Sequence, residues 1–408
     1  MKRSAIALLA LMCVLILAPA ARAQSNSIIK TDDLTVTAGG YIKSLTTYSY
    51  DRDTYDSSID TSLRIRLKME ALYKRRLKAL VHYEIAGLWG ESLNDPGYRW
   101  GVTRDPDEFA NLYWILSDND DMVATHSLDR LYLSILADHF TLTLGRQRIA
   151  WGTARFISAV DLFNPFDPAA IDKEEKLGVD AAVAEIPLGG YSGLTLVFAP
   201  DLFADEISYA ARIYTNQFNY DLALTAGRFV DRYVFGFDFA GQMWDIALFG
   251  EIAYFMEDHT TVYPVVDPTE FFGFRLEETD NYYLRGSIGA EYVFENSFSM
   301  LLEYYYNGKG ARDRENYNLT NLVTGDELSL GRHYLFSSFG YDIMPLLRGD
   351  VAVYLNLTDF SVLVSPAVEY SITESLYLNV GAQMGFGGDE DEYGMRPDLY
   401  YIQLRYYF

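Results

Sequence analysis

The sequence predicts an all-β fold: a single antiparallel transmembrane β-barrel of about 18 strands, with long external loops and short periplasmic turns. Three observations predict it. Alternation of period two recurs from end to end, connections alternate between short and long, and the chain closes on an alternating strand that finishes at Phe408. The first strand candidate begins near Leu34. From Leu63 to Glu70, Leu63, Ile65, Leu67 and Met69 share one face, while Arg64, Arg66, Lys68 and Glu70 share the other. Lys78 and His82 continue the polar face on the next strand, where Leu77, Ala79, Val81 and Tyr83 point the opposite way. From Leu376 to Phe386 the apolar face is Leu376, Leu378, Val380, Ala382, Met384 and Phe386; in the last strand it is Tyr400, Ile402, Leu404, Tyr406 and Phe408.

The links carry the topology. Short ones fall at 74–76, 137–139, 187–190, 215–217, 241–242, 295–297, 344–346 and 373–374. The long ones lie between them, chiefly at 90–127, 148–176, 257–280, 308–331 and 388–397. Short turns at one end and long loops at the other place both termini in the periplasm. Tyr304 to Tyr306 and Tyr406 to Phe408 put aromatic rings at strand ends, where girdles meet lipid headgroups. The terminal strand with its final Phe408 resembles the signal by which the barrel assembly machinery of the Gram-negative outer membrane recognises its clients. That resemblance implies the assembly machinery, outer-membrane lipid and lipopolysaccharide as partners.

Composition narrows the class further. A chain of 408 residues with 15% aromatics buries too much surface to be a disordered acidic tail. Its formal charge of -24 argues against a nucleic-acid partner, which requires a basic face. Residues 1–23 read as a secretory signal: Lys2 and Arg3, the apolar stretch Ala5 to Leu17, then Ala21-Arg22-Ala23. The mature chain is expected from Gln24, and loss of three basic residues makes it more acidic. The single cysteine, Cys13, goes with the signal, which excludes disulfides, thiolate metal sites and cysteine nucleophiles. No linker divides 24–408, so that span reads as one outer-membrane barrel with neither a plug domain before it nor a periplasmic module after Phe408.

Neither an enzyme nor a cofactor is expected. His82, His126, His139, His259 and His333 show no metal-pair spacing, and no serine stands in a nucleophile elbow. The acid clusters Asp118, Asp120, Asp121 and Asp389 to Glu392 lack the glycine and terminal carboxylate of an EF-hand loop, and read as solvated.

Two features point to the lumen. A charge facing lipid at mid-bilayer costs about 2–4 kcal/mol, so the ladder Arg64, Arg66 and Lys68 must face inward. It either attracts anions or is neutralised by inward acids, for which Glu84, Asp245, Glu251, Glu303, Asp350 and Glu369 are candidates. The second feature is Gly145-Arg146-Gln147-Arg148-Ile149-Ala150-Trp151-Gly152, followed by Asp161 and by Asn164-Pro165-Phe166-Asp167-Pro168. It opens a link longer than ordinary connections, with enough aromatic surface to pack, and is expected to fold into the lumen as a constriction. The motif resembles a group of porin-like outer-membrane barrels in which Gly-Arg-Gln-x-x-x-Trp-Gly precedes Asn-Pro-x-Asp; the matching residues are Gly145, Arg146, Gln147, Trp151, Gly152, Asn164, Pro165 and Asp167. A more distant resemblance is to the alginate-export porins.

The function expected is a channel for a polar or anionic solute, with export of an acidic polysaccharide in view, and Arg64, Arg66, Lys68, Lys78, Arg146, Arg148 and Arg155 as its positive track. The alternatives are a non-channel scaffold with a periplasmic partner, in an export, lipid-transport or electron-conduit complex, and an outer-membrane hydrolase. The acidity is external: links 51–60, 90–127, 200–207, 257–280 and 388–397 hold 26 acids against five bases.

Overall fold

The computed structural model describes residues 26–104, 109–163, 168–172, 174–200, 207–229, 232–257, 262–266, 274–278, 282–319 and 327–408. The signal segment with Cys13, His259, and the Asn164, Pro165 and Asp167 of the motif lie outside the described residues. The strands are β1 (Asn26–Lys30), β2 (Leu34–Tyr50), β3 (Ser57–Tyr73), β4 (Leu77–Gly90), β5 (Tyr113–Asn119), β6 (Met122–Leu136), β7 (Thr141–Gln147), β8 (Val179–Gly189), β9 (Ser192–Pro200), β10 (Ile207–Gln217) and β11 (Tyr220–Phe229). They continue as β12 (Arg232–Met243), β13 (Ile246–Glu257), β14 (Val262–Val266), β15 (Phe274–Glu278), β16 (Tyr282–Val293), β17 (Ser299–Asn307), β18 (His333–Met344), β19 (Leu347–Asn356), β20 (Val362–Ser371), β21 (Leu376–Phe386) and β22 (Asp398–Tyr407). One short helix, α1 (Pro96–Thr103), is capped by the Asp95 carboxylate, which accepts from Tyr98 N.

Eighteen of these strands close into an antiparallel barrel, sealed where β22 pairs with β2 from Tyr41↔Tyr407 to Tyr50↔Asp398. Two further strands fill half-length gaps in the same 20-stranded sheet. β1 pairs with the part of β2 that β22 does not reach, and β5 takes the edge of β6 beyond the end of β7. β14 and β15 form a separate hairpin. Most short links stand within a residue or two of where the alternation puts them, but those expected at 215–217 and 241–242 are displaced, because β10 and β12 run on to Gln217 and Met243 and the turns fall at 218–219 and 244–245. Between β10 and β11, Phe218 and Asn219 both have positive φ (58° and 65°), as a tight two-residue hairpin turn demands. At the other end the links are less uniform than the long stretches imply: β11 and β12 pair up to Phe229↔Arg232, leaving only two residues between them.

Closure satisfies the backbone and alternation sorts the side chains. Leu67, Met69, Leu131, Leu133, Ile252, Ile288, Val380 and Ile402 are exposed on the outside. An apolar belt of that extent is what lipid solvates and water does not. At the seam, Gly40 N donates to Phe408 O (2.8 Å) and Phe408 N to Gly40 O (3.0 Å). A Cβ at Gly40 would overlap the Arg66 carbonyl and lie 2.9 Å from the Phe408 ring, so the terminal aromatic uses space only glycine leaves.

One irregularity shapes the interior. His82 pairs with Arg130 but Tyr83 pairs with Leu128, so Asp129 is an extra residue bulged out of register on β6. Bulges re-aim side chains, and this one buries Asp129 and Arg130 side by side (6% and 4% exposed).

Candidate functional site

The lumen is not an empty bore. The described parts of the segment joining β7 to β8 lie in the barrel interior and touch many of its strands. It leaves β7 with Ile149 packed on Val179, Ala181, Val183, Val197 and Ala199 of β8 and β9. Trp151 stacks edge-on to Phe163 (5.4 Å between centroids), and Phe163 against Phe229 of β11 (4.9 Å). Ala159 and Val160 close a buried cluster with Val234, Ala253, Phe255 and Tyr283. Phe156 lies between Phe336 of β18 (5.0 Å) and Tyr354 of β19 (5.4 Å). Further on, Tyr354 donates to Pro168 O (2.9 Å) and Gln383 of β21 to Ala169 O (2.7 Å).

Two buried carboxylates on the far wall hold the bend. Glu251 of β13 accepts from Thr153 N (2.7 Å), Ala154 N (3.1 Å) and Ala159 N. Glu303 of β17, 0% exposed, accepts from Arg155 N (2.8 Å). Backbone N–H groups that form no ladder must find acceptors when buried, and these two acids supply them. Gly152 makes the approach feasible: its φ is +91°, and a Cβ there would overlap Ser158 Oγ and sit 2.6 Å from Glu251 Oε2. Gly152→Ala is expected to cost about 1–3 kcal/mol through backbone strain, read as a lower urea midpoint than that of an alanine at exposed Gly101 of α1, where a Cβ meets open space and the backbone is helical.

The return path meets the basic ladder. Asp172 pairs with Lys43 of β2 (2.8 Å) and Arg64 of β3 (3.2 Å), and Glu174 with Lys43 (2.6 Å). Tyr407 of β22 donates to Glu174 (2.6 Å). Glu175 pairs with Lys68 (2.6 Å) and Arg66 (3.2 Å). From the wall, Glu84 reaches Arg64 (3.2 Å) and Arg66 (2.7 Å), and Asp129 reaches Arg66 (2.9 Å). Arg130 donates to Lys176 O, and Gly178 N to Asp129 (3.2 Å), which returns the chain to β8. Lys176 itself contacts the carboxylate of Asp161, so two parts of the segment are tied together.

The positive track is thus largely matched by acids. Arg64, Arg66 and Lys68 are the surface on which the segment's own Asp172, Glu174 and Glu175 land, with Glu84 added from β4. Lys78 pairs with Glu70 (2.8 Å), and Arg146 forks onto Asp180 (2.9 and 2.7 Å) and donates to Ala110 O (2.5 Å). Two members differ. Arg148 and Arg155 are exposed, and among the described residues neither guanidinium has an acid within 4.0 Å; Arg155 lies 5.4 Å over the Phe249 ring. Of the other inward acids read from the sequence, Glu369 pairs with Arg405 and Asp350 with Arg348 (3.1 Å).

Sequence reasoning missed Lys43, the landing acids and the bulge. Lys43 is the one charge in the long β2 strand and sits opposite the apolar Ile42 face. The run Asp172-Lys173-Glu174-Glu175 is complementary in sign to the ladder. Those two signals were present; the bulge at Asp129 left none.

Burial alone would raise the carboxyls of Asp172, Glu174 and Glu175, but Lys43, Arg64, Arg66 and Lys68 outweigh it and hold all three below the usual range. A depressed carboxyl stabilises above its unfolded pKa and loses that contribution as pH falls through its folded one. The segment's hold is therefore full at neutral pH and fails in acid. Protease cleavage within 168–178 is expected to become faster as pH falls below the usual carboxylate range, with the step removed in an Asp172→Asn/Glu174→Gln/Glu175→Gln variant.

The outer acid clusters divide. Asp118 pairs with Arg99 near α1, whereas Asp391 and Glu392 are buried, contrary to the solvated reading. Glu392 accepts from Tyr334 Oη (2.5 Å), Asn356 Nδ2 (2.8 Å) and Leu330 N (3.3 Å), bonds that draw the 387–397 link inward. Burial pushes its carboxyl up to about 7. Raised above its unfolded value, it stabilises fully below that value and stops doing so as pH rises through about 7. Protease cleavage within 387–397 is expected to be faster at pH ~8.5 than at ~5.5, and Glu392→Gln to remove the difference.

Among the described residues no group of His, Asp and Glu is placed to hold a metal ion. His126 meets Tyr83 Oη (3.1 Å) and stacks on Trp114 (4.9 Å); His333 meets Tyr304 Oη (2.7 Å). These are aromatic clusters near strand ends.

Fold and site define a class: a lipid-belted barrel whose lumen is crossed by a segment pinned to its walls. No protein-family model matches the chain, and no curated protein does. Among solved structures, the chain is similar to a triple mutant of the porin of Rhodopseudomonas blastica, at 12% identity and TM-score 0.46, over 91% of this chain and 100% of that one. It is also similar to the in-vitro folded trimer form of OmpT, an outer membrane protein of Vibrio cholerae, at 11% identity and TM-score 0.46, over 92% and 100%.

Proposed function

We propose that the protein is an outer-membrane channel for small polar solutes, with a preference for anions, and that residues 148–178 set its bore. The observation carrying this reading is the pinning of that segment to strands on opposite walls, by Glu251 and Glu303 on one side and by Lys43, Arg64, Arg66 and Lys68 on the other. A segment serving only to fill space would not need buried polar anchors on opposite walls. A cavity of about 930 Å³, of the size that takes one small molecule, lies against Gly39, Tyr41, Lys68, His82, Arg405 and Tyr407. Export of an acidic polysaccharide would require the segment to leave the lumen.

The anion preference rests on Arg148 and Arg155, the track members that are exposed and have no acid within 4.0 Å among the described residues. Outer-membrane lipid and lipopolysaccharide suit the Tyr83–His126–Trp114 and Tyr304–His333 clusters, whose rings present both apolar and polar edges. Reversal potentials in planar bilayers under a potassium chloride gradient test the selectivity. The expected sign is that of chloride, and its size shrinks in an Arg148→Ala/Arg155→Ala variant. A cation-selective wild type would refute the preference.

A further inference from the structure

A second, smaller cavity of about 380 Å³ is set into the lumen wall and lined by inward side chains of β4, β6, β7 and β8. Its cationic members are Lys78, Arg130 and Arg148, with the His82 imidazole beside them; its hydroxyl groups come from Tyr132, Ser134, Thr141 and Thr143; Glu185 is the one acid in the lining. The cations are not equally available. Lys78 shares its charge with Glu70, and Arg130 is held by Asp129 (2.9 Å) and by the Lys176 carbonyl. Ser134 and Thr143 are hydrogen-bonded to each other (2.9 Å), and the Gln147 amide donates to Ala181 O (3.0 Å). Arg148 is the exception: exposed, and without an acid within ion-pair distance among the described residues. His82 Nδ1 is a second unused group, buried with no hydrogen-bond partner. Leu80 and His82 line both this recess and the larger cavity, so the two adjoin.

We propose that this recess is a binding site for a small hydroxylated carboxylate, of the sugar-acid class, with the Arg148 guanidinium as the group that takes the carboxylate. A guanidinium matches a carboxylate in two parallel hydrogen bonds. The hydroxyls of Tyr132, Thr141 and Thr143 and the imidazole of His82 offer both donors and acceptors, which is what a polyol body needs. Leu80 and Leu136 give the ring an apolar wall. The volume suits one monosaccharide-sized molecule. Inorganic phosphate would share the charge but leave the hydroxyl lining unused.

The proposal deepens the channel reading and rests on it for its physiological meaning, yet it is testable separately. Calorimetric titration of the purified full-length chain in detergent, with sodium glucuronate, glucose and inorganic phosphate as probes, reads the site directly. Expected is glucuronate binding at least tenfold tighter than glucose or phosphate. Arg148→Ala is expected to lose at least tenfold in affinity, Arg148→Lys to lose less, and Arg75→Ala, in an exposed turn, to lose nothing. Each variant is checked for the folded-barrel mobility shift on unheated gels, and Tyr132→Phe gives a second, milder probe of the same lining. Glucuronate binding unchanged in Arg148→Ala, no binding at all, or phosphate bound as tightly as glucuronate would overturn the proposal. Single-channel recording on the same preparations separates the two claims: conductance with no glucuronate site keeps the channel and removes the recess, and an Arg148-dependent site in a non-conducting barrel does the reverse.

Discussion

Arg66→Ala is expected to cost about 3–5 kcal/mol in unfolding free energy, the range for breaking a buried ion pair by removing one partner. Arg66 is 2% exposed and faces three carboxylates: Glu84 at 2.7 Å, Asp129 at 2.9 Å and Glu175 at 3.2 Å. Nη2 and Nε fork onto one oxygen, Glu84 Oε2, while Nη1 lies within ion-pair distance of Asp129 and Glu175 without a hydrogen bond. Removing the cation takes from three acids the partner they share and leaves each with another cation only, Arg64 for Glu84, Arg130 for Asp129 and Lys68 for Glu175. Glu175 is the one on a movable element, so the segment should leave the wall. Urea unfolding in lipid vesicles reads the stability, and Arg66→Lys should recover only part of it, because a point charge cannot reproduce the fork. A loss below about 1 kcal/mol, the scale of an exposed pair, would mean that the ladder does not hold the segment.

The second large effect is expected at Glu251. Its carboxylate accepts from three backbone amides of the segment, Thr153 N, Ala154 N and Ala159 N. In Glu251→Ala those N–H groups lose their partner at about 1–3 kcal/mol for each one left buried. The segment relieves that cost by moving into solvent, so the measurable outcome is a rise in single-channel conductance with frequent closures, together with new protease sites between Trp151 and Ala159. Glu251→Gln keeps one acceptor oxygen and should lie between wild type and alanine. An alanine variant with unchanged current and unchanged proteolysis would show that the bend is held by packing of Val160, Phe156 and Phe163 alone.

How much of this was legible follows from which forces leave a one-dimensional trace. The barrel was, because period-two alternation is forced on every strand that separates lipid from lumen, and Arg64, Arg66 and Lys68 against Leu63, Ile65 and Leu67 show it directly. The inward segment was legible as an expectation, since a link that long carrying Trp151, Phe156 and Phe163 must bury them somewhere. What it lands on was not. The pairing of Asp172 with Lys43 joins residues 129 positions apart, and no spacing rule connects them. Glu251 and Glu303 were named as inward acids, but their work is to receive backbone amides, a role with no side-chain signature in the partner. The Asp129 bulge is invisible because one residue added to an alternating strand only shifts its phase. The ladder's sign, read as an attraction for passing anions, is matched mostly within the chain, leaving Arg148 and Arg155 as the members of the track with no acid within 4.0 Å among the described residues.

The account stands or falls on whether residues 148–178 limit the pore. The direct measurement is single-channel conductance in planar bilayers for wild type and for a variant lacking residues 152–172, at neutral pH and equal salt. The account predicts that the deletion conducts several-fold more than wild type and is less selective between glucose-sized and trisaccharide-sized solutes. Equal conductance in the two proteins, or none in either, would contradict it.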